Sequence, residues 1–162
     1  EITSLGARMI DDALETDFGA RLGEEDVVFD AGSGVGKLPI QYFLTTRVSA
    51  AIGVELNEQR CAKAYVALTK LGEALDVPIT PVQSNRVLGA YSGVLHMGNR
   101  SLQLLCMSML DLDAEEPVDL RTVSVVVANS CCFPRGLLAR FQSLLARFLQ
   151  VGAVVLSSKE ML

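Results

Sequence analysis

The residues best suited to chemistry in this sequence lie in one glycine-rich stretch, FDAGSGVGKLPIQ. An acidic residue, Asp30, ends an apolar run, and Gly32, Gly34 and Gly36 follow it in a D-x-G-x-G-x-G pattern. A second acid, Glu55, closes the next apolar run about 25 residues later. Because glycine lets the backbone approach a ligand closely, this pattern indicates a ligand-binding loop between a strand and a helix.

Two common phosphate-binding motifs do not fit this loop. The P-loop pattern GxxxxGK[ST] would start at Ala31, where it needs glycine, and would put Leu38 where a hydroxyl binds magnesium. The dinucleotide pattern GxGxxG, started at Gly32, would need a glycine at Lys37 for close packing of the helix on the strand. The pattern that remains suits a ligand without a pyrophosphate.

S-adenosyl-L-methionine has the chemistry that these residues could bind. It carries an amino-acid end, a sulfonium and a ribose, so it needs close backbone approach and no phosphate cradle. Asp30 can bind the methionine ammonium, and Glu55 can accept hydrogen bonds from both ribose hydroxyls. The alternative is that the glycines only form a tight turn and that both acids are solvated strand ends.

The alternation of apolar runs with helical spacing predicts the framework that positions the loop. Buried strands are predicted in the segments DVVFDAG, AAIGVEL, SLQLLCMSM, TVSVVVANS and GAVVLSSK. Helices are predicted over 4–17 and 37–46, after a cap at Asn57, and in LLARFQSLLARFL, whose Leu and Phe stripe should face the core. Residues 76–100 are predicted to form a loop with a broken helix. Apolar strands separated by helices predict an α/β fold, a doubly wound, mainly parallel sheet with helices on both faces, in one domain over 1–162.

Composition and charge narrow the class of protein. The 162 residues, half of them hydrophobic, can bury one sizeable core. The absence of an apolar run of about 18 residues and of a basic leader predicts a soluble protein that does not contact membranes. Four cysteines without CxxC spacing predict neither a metal site nor a disulfide framework, and favour a reducing compartment. The net charge of −5 disfavours a nucleic-acid surface and favours a basic partner.

Taken in order, four segments resemble a known enzyme family. FDAGSGVGKLPIQ, IGVEL, VVVANSCCF and VVLSSKEM are similar to segments of the non-SET histone lysine methyltransferases named for disruption of telomeric silencing. The resemblance implies a class I, Rossmann-like methyltransferase that transfers methyl groups from S-adenosyl-L-methionine, leaving S-adenosyl-L-homocysteine. The implied acceptor is a lysine in the globular core of histone H-three in the nucleosome, and the implied location is the nucleus. DNA contact is expected only from segments outside this sequence.

The resemblance also implies a set of cofactor-binding residues. The set consists of Asp30, Ala31, Gly32, Gly34, Gly36, Lys37, Glu55, Leu56, Ser108, Met109 and Asn129. Lys37 stands where the family favours glutamine, and it is expected to meet the cofactor carboxylate. Ser108 stands where the family has an adenine-binding aspartate, with Asp111 as the alternative. Glu1 and Thr3 are expected at the methionine end.

Asn129 is the one predicted catalytic residue. A carboxamide after a buried strand can position the incoming amine without adding a positive charge; the alternative is an ordinary turn asparagine. Cys131 and Cys132 are predicted to be wall or packing residues, and His96 a loop residue, because no cysteine–histidine pairing is recognisable. The predicted mechanism is direct displacement at the sulfonium methyl without a dedicated general base.

Two other functions remain open at this point. Another class I methyltransferase could act on RNA, a small molecule or a different protein, and a non-catalytic module could bind the cofactor without turnover. The methyltransferase fold normally adds an antiparallel strand pair after its fifth strand, whereas this sequence stops at Leu162. The sequence is therefore expected to be truncated at its C-terminus.

Overall fold

The apolar runs form one seven-stranded sheet in the computed structural model, which describes residues 3–19, 21–112, 114–115 and 117–161. The strands of this sheet are β1 (Val27–Ala31), β2 (Ala50–Glu55), β3 (Ile79–Pro81), β4 (Gly93–Met97), β5 (Arg100–Cys106), β8 (Val125–Ala128) and β9 (Val154–Ser157). The two-residue strands β6 (Ala114–Glu115) and β7 (Val118–Asp119) pair with each other outside it.

The strand order is β3-β4-β5-β2-β1-β8-β9. The five strands from β5 to β9 in this order are parallel neighbours, while β4 pairs antiparallel with both β3 and β5. The chain builds outward from β1 through β2 to β5 and then returns to β8 on the other side of β1. This arrangement confirms the predicted doubly wound, mainly parallel sheet. Its switch point lies beside the carboxyl end of β1, where ligands of such sheets bind.

Helices cover both faces of the sheet. They are α1 (Ser4–Phe18), α2 (Lys37–Thr45), α3 (Glu58–Leu75) and α4 (Arg135–Phe148). As predicted, the Asn57 side chain caps α3 by accepting a hydrogen bond from the Arg60 amide at 3.1 Å. Gly36, with φ of +78°, starts α2 directly after the glycine loop. The loop is thus fixed between β1 and α2.

Successive residues of β1 face opposite cores, as the pleat of a strand requires. Val28 packs in a core with Phe43 of α2 and Leu68 of α3. Phe29 packs in the other core with Phe141 and Leu145 of α4, two members of the predicted apolar stripe. Both sides of the central strands are therefore buried, which explains their continuous apolar sequence.

The prediction of a loop with a broken helix over residues 76–100 is confirmed for residues 82–92, which are irregular, and is wrong for the residues on either side of them. This segment contains β3 and β4, and Gly98, with φ of +64°, makes the turn from β4 into β5. His96, predicted to be a loop residue, lies on β4, where its side chain is exposed. Gly93 has a structural purpose here, because a Cβ on it would come within 2.8 Å of Ile79. In the sequence, Pro81, Gly93 and Gly98 indicate a loop, because the apolar runs between them are short.

The two borders of the sheet differ from each other. At one border the antiparallel strands β3 and β4 extend the sheet beside β5. Within the described residues β9 pairs with β8 alone, and its four residues are only half-buried. The described helices include none with the length and apolarity needed to cross a membrane.

Candidate functional site

A cleft of about 490 Å³ opens at the carboxyl ends of β1, β2, β5 and β8. The predicted cofactor-binding residues that line it are Asp30, Gly32, Gly34, Lys37, Glu55, Leu56, Ser108, Met109 and Asn129. These residues come from four separate strand ends, so only the parallel sheet brings them together. The cleft is of the size that small-molecule sites have, about 300–1,000 Å³.

Asp30, at the end of β1, is the most deeply buried acid of the cleft, with 4% of its surface exposed. Burial, and then repulsion from the nearby Glu55 carboxylate, raise the pKa of Asp30 to about 7. Taking this group out of water as an anion is costly unless a cation compensates it. A positively charged group of a ligand would supply that compensation.

Glu55, at the end of β2, holds the glycine loop through hydrogen bonds. Its Oε2 accepts from the Gly34 amide at 2.9 Å, and its Oε1 accepts from the amides of Leu56 and Asn57 at 3.0 and 2.8 Å. The Arg60 guanidinium lies 3.8 Å from Oε2. Two backbone donors already occupy Oε1, so Oε2 keeps the better acceptor capacity for a ligand hydroxyl.

The backbone of the loop is fixed on β2. The amides of Gly32 and Ser33 both donate to the Val54 carbonyl, at 2.8 and 3.0 Å. A Cβ on Gly53, in the middle of β2, would come within 2.8 Å of the Ser33 hydroxyl and of the Pro39 ring. Gly53 is therefore needed for the close approach of loop and strand, a role that the sequence did not suggest.

Gly32 and Gly34 present their backbone to the cleft. Both have positive φ, +78° and +60°, which favours glycine. A Cβ on Gly32 would lie 3.0 Å from the Phe133 ring, so the aromatic edge closes the loop from the β8 side. Phe133 is the last residue of the VVVANSCCF segment and is not among the predicted site residues.

Two predicted cofactor-binding residues, Ala31 and Gly36, do not line the cleft. Ala31 is fully buried in the core that faces α4. Gly36 points the other way, since a Cβ on it would come within 2.8 Å of the Leu104 side chain. Gly36 therefore performs helix-to-strand packing, the role for which the dinucleotide motif would use a glycine at Lys37.

Ser108 and Met109 form the β5 side of the cleft. The Ser108 hydroxyl accepts from the Leu110 amide at 3.1 Å and so caps a short 3-10 helix, while Met109 is 8% exposed. The proposed substitute, Asp111, is exposed and lies outside the lining of the cleft. The geometry therefore favours Ser108 over Asp111 at this position.

Asn129 lies directly after β8, the strand next to β1, and lines the cleft. Its Oδ1 accepts from the Ser158 hydroxyl at 3.3 Å, which leaves the amide nitrogen available. Cys131 and Cys132 line the cleft as exposed wall residues. Thr3 caps α1 and lies outside this cleft, and Glu1 lies outside the described residues.

Arg60 and Leu137 also line the cleft and are not predicted from the sequence; Ser33, Leu38, Val54 and Met107 are the remaining lining residues. Arg60 could have been found, because the third residue after the Asn57 cap of α3 stays close to the preceding strand end. Leu137 could not, because its position depends on how α4 packs back over the sheet.

Several solved structures share the fold of this chain. The geranyl diphosphate C-methyltransferase of Streptomyces coelicolor A3(2), solved with S-adenosyl-L-homocysteine, is 19% identical and has a TM-score of 0.59; the match covers 95% of this chain and 45% of that one. The cyclopropane synthase MmaA2 of Mycobacterium tuberculosis is 16% identical, with a TM-score of 0.60 and coverages of 97% and 44%. An rRNA methylase of Streptococcus thermophilus is 16% identical, with a TM-score of 0.54 and coverages of 93% and 68%.

The fold is the class I methyltransferase fold. The chain spans about half the length of most of these solved proteins. No protein-family model and no curated protein matches it. At these sequence identities the likeness establishes the fold alone. The assignment of the site residues is based on the geometry of this structure.

Proposed function

We propose that this chain is an S-adenosyl-L-methionine-dependent methyltransferase. The observation that carries the proposal is the pair of buried acids, Asp30 and Glu55, on either side of a glycine loop at the switch point of the sheet. Solved proteins of the same fold contain S-adenosyl-L-methionine or its product in their structures.

The residues of the cleft fit the parts of this cofactor. Asp30 would hold the methionine ammonium, because a cation offsets the cost of ionising a carboxyl whose pKa burial raises. Oε2 of Glu55 would accept from a ribose hydroxyl, and Leu56 and Met109 offer apolar surface to the adenine. Lys37, at the start of α2, would face the cofactor carboxylate. The bound cofactor supplies an electrophilic methyl group.

For the transfer itself, the chain contributes position and desolvation. Asn129 and Phe133 flank the loop on the β8 side, where an acceptor would enter. No histidine lines the described cleft, and direct displacement needs the acceptor nucleophile to be aligned rather than deprotonated by a dedicated base.

The acceptor that this proposal favours is a small molecule or RNA. The solved proteins of this fold include a geranyl diphosphate methyltransferase, a cyclopropane synthase and an rRNA methylase. The second candidate is a lysine in the core of histone H-three on the nucleosome, with nuclear location. It rests on the sequence resemblance of the loop, of IGVEL and of the segment that contains Asn129.

Calorimetric titration with S-adenosyl-L-homocysteine tests the cofactor assignment. We expect saturable binding that Asp30→Asn weakens by about tenfold or more, as for loss of a hydrogen bond to a charged group. The matched control is Asp17→Asn, an exposed acid at the end of α1. Absence of binding to the wild-type chain would refute the proposal.

Transfer of labelled methyl groups distinguishes the acceptors. Separate reactions contain bulk RNA, a small-molecule extract, free histones and nucleosomes. Label in RNA or in the extract supports the favoured acceptor classes, and label in nucleosomes alone supports the histone candidate. Cofactor binding without transfer to any acceptor would indicate a cofactor-binding module.

A further inference from the structure

The end of β9 holds one wall of the cofactor cleft through hydrogen bonds. Strands β8 and β9 are parallel neighbours, so residues 129–133, which follow β8, lie beside residues 157–159 at the carboxyl edge of the sheet. We call residues 157–159 the β9 clamp. The Nζ of Lys159 donates a hydrogen bond to the Phe133 carbonyl at 2.9 Å. The clamp therefore fixes the segment that brings Asn129 and Phe133 to the cleft.

Ser130 is the buried centre of this contact. Its side chain is fully buried, and its Oγ accepts a hydrogen bond from the Lys159 amide at 3.1 Å. The same Oγ lies 2.8 Å from the Ser157 hydroxyl and 3.4 Å from the Ser158 hydroxyl. A backbone N–H can only donate, whereas a hydroxyl both accepts and donates. The hydroxyl network is therefore anchored at one end by a backbone amide and extends outward to the two serines of the clamp.

Ser158 connects this network to Asn129. Its hydroxyl accepts from the Cys131 thiol at 3.3 Å and donates to Oδ1 of Asn129 at 3.3 Å. A carboxamide oxygen is a good acceptor and a thiol sulfur a weak one, so the Ser158 proton belongs to Asn129. Oδ1 is thus turned toward the clamp, which leaves Nδ2 to face the cleft that Asn129 lines. Among the described residues, none accepts a hydrogen bond from this Nδ2.

The orientation of the Asn129 carboxamide decides what it can bind. Nδ2 carries two N–H donors and cannot accept a hydrogen bond. In a direct displacement, the lone pair of the acceptor must be aligned with the methyl group that it attacks. A neutral amine has only one lone pair, and a hydrogen bond from Nδ2 would occupy it. A carbonyl or phosphate oxygen next to the reacting atom could accept this hydrogen bond and leave the reacting electrons free.

We propose that Ser158 is a positioning residue that turns the Nδ2 donor of Asn129 into the cleft, and that the methyl acceptor carries a hydrogen-bond-accepting oxygen beside the atom that is methylated. The inference rests on the proposed function, because the cleft must hold the methyl donor. It selects, among small molecules and RNA, acceptors with such an oxygen. It disfavours the free amine of a lysine.

NMR relaxation of the Asn129 side-chain amide tests the role of Ser158 without any acceptor. The carboxamide should be ordered in the wild-type chain, and in Ser158→Ala it should become as mobile as that of Asn99, an exposed asparagine between β4 and β5. Ser158→Thr keeps the hydroxyl and should restore the order. The matched control is Ser143→Ala, which removes the hydroxyl of an exposed serine on α4. A carboxamide that is mobile in the wild type, or that stays ordered in Ser158→Ala, would overturn the proposal.

Single-turnover methylation of bulk RNA and of a small-molecule extract tests the donor role of Asn129. Aspartate keeps the side-chain oxygens but has no N–H, so Asn129→Asp should slow transfer at saturating cofactor as much as Asn129→Ala, by about tenfold. Ser158→Ala should slow it by about three- to tenfold, as for loss of one neutral hydrogen bond, with Ser158→Thr close to the wild type. Transfer by Asn129→Asp at the wild-type rate would show that an oxygen faces the acceptor, and would overturn the donor role.

Calorimetric titration with S-adenosyl-L-homocysteine separates this proposal from the proposed function. The Ser158 variants should bind this ligand as tightly as the wild type, because Ser158 lies outside the lining of the cleft. A wild-type chain that does not bind it would refute the proposed function, while relaxation of the Asn129 amide would still decide the role of Ser158. Normal binding with equal rates in Ser158→Ala and Ser143→Ala would refute the positioning role alone. Transfer to nucleosomes only, or to no acceptor, would overturn the inferred acceptor class.

Discussion

Asp30→Asn should stabilise the cofactor-free protein while it weakens cofactor binding. The folded state raises the pKa of Asp30 from its ordinary value of 3.8 to about 7. Between these two values the folded protein binds more protons than the unfolded chain, so its stability falls as the pH rises. The contribution of Asp30 to the unfolding free energy is fully present below about pH 3.8 and is lost as the pH rises to about 7.

The magnitude follows from the difference between the two pKa values. At 1.36 kcal/mol per pKa unit, and relative to low pH, the raised pKa of Asp30 lowers the unfolding free energy by about 4 kcal/mol at pH 8 and by about 1.5 kcal/mol at pH 5, where only the unfolded chain ionises. Asparagine has nearly the same shape and no charge. The unfolding free energy of the variant minus that of the wild type should therefore increase by about 2.5 kcal/mol from pH 5 to pH 8.

Urea unfolding followed by far-ultraviolet circular dichroism, repeated between pH 5 and pH 8, measures this difference. Subtracting the wild type removes the titration of all other groups that the substitution leaves unchanged. Asp17→Asn, at an exposed position, is the matched control. A difference in unfolding free energy for Asp30→Asn that does not change with pH would refute the argument that burial and Glu55 raise the pKa of this carboxyl to about 7.

Three further substitutions test separate parts of the site. Glu55→Gln should lower both the unfolding free energy and the affinity for S-adenosyl-L-homocysteine, by about 1–3 kcal/mol each. The reason is that the amide nitrogen of glutamine would face backbone N–H donors where the carboxylate now accepts from them. Urea unfolding measures the first effect and calorimetry the second. Gly36→Ala should destabilise the fold by about 1–3 kcal/mol, because the position has a positive φ and the new Cβ would meet Leu104. The affinity of the folded variant for S-adenosyl-L-homocysteine should stay nearly unchanged. A large loss of that affinity would show that Gly36 contacts the ligand after all. Asn129→Ala should slow single-turnover methylation at saturating cofactor by about tenfold, or about 1.4 kcal/mol, with a smaller effect on cofactor affinity; equal rates would make it a turn residue.

The sequence was sufficient for the central part of the fold. The five parallel strands follow from continuous apolar runs, such as VVFDA in β1, and the four helices follow from apolar residues at helical spacing. Strands β3 and β4 could not be predicted in the same way, because Pro81, Gly93 and Gly98 interrupt their short apolar pattern. Their pairing depends on β5, which lies beside them only after the chain reverses at Gly98.

The candidate site was predictable where local spacing determines position. Asp30 and Glu55 lie at the ends of buried strands and Asn129 directly follows one, and parallel strands bring their carboxyl ends to one edge. Spacing alone could not assign the direction in which each glycine faces. Gly36 therefore looked like a ligand contact, although the tight approach of Leu104 makes it a packing residue.

The attachment of the glycine loop to β2 has a consequence for the thermodynamics of ligand binding. Hydrogen bonds from the amides of Gly32 and Ser33 fix the loop backbone on β2 before any ligand binds. The absence of a side chain at Gly53 lets the loop lie this close to the strand. A mobile loop would lose conformational freedom on binding, and that loss would be subtracted from the affinity. Here folding has already met the entropic cost of ordering the loop. Hydrogen exchange of the loop amides should therefore be slow in the ligand-free protein and change little when the cleft is filled, so that the affinity reflects contacts alone.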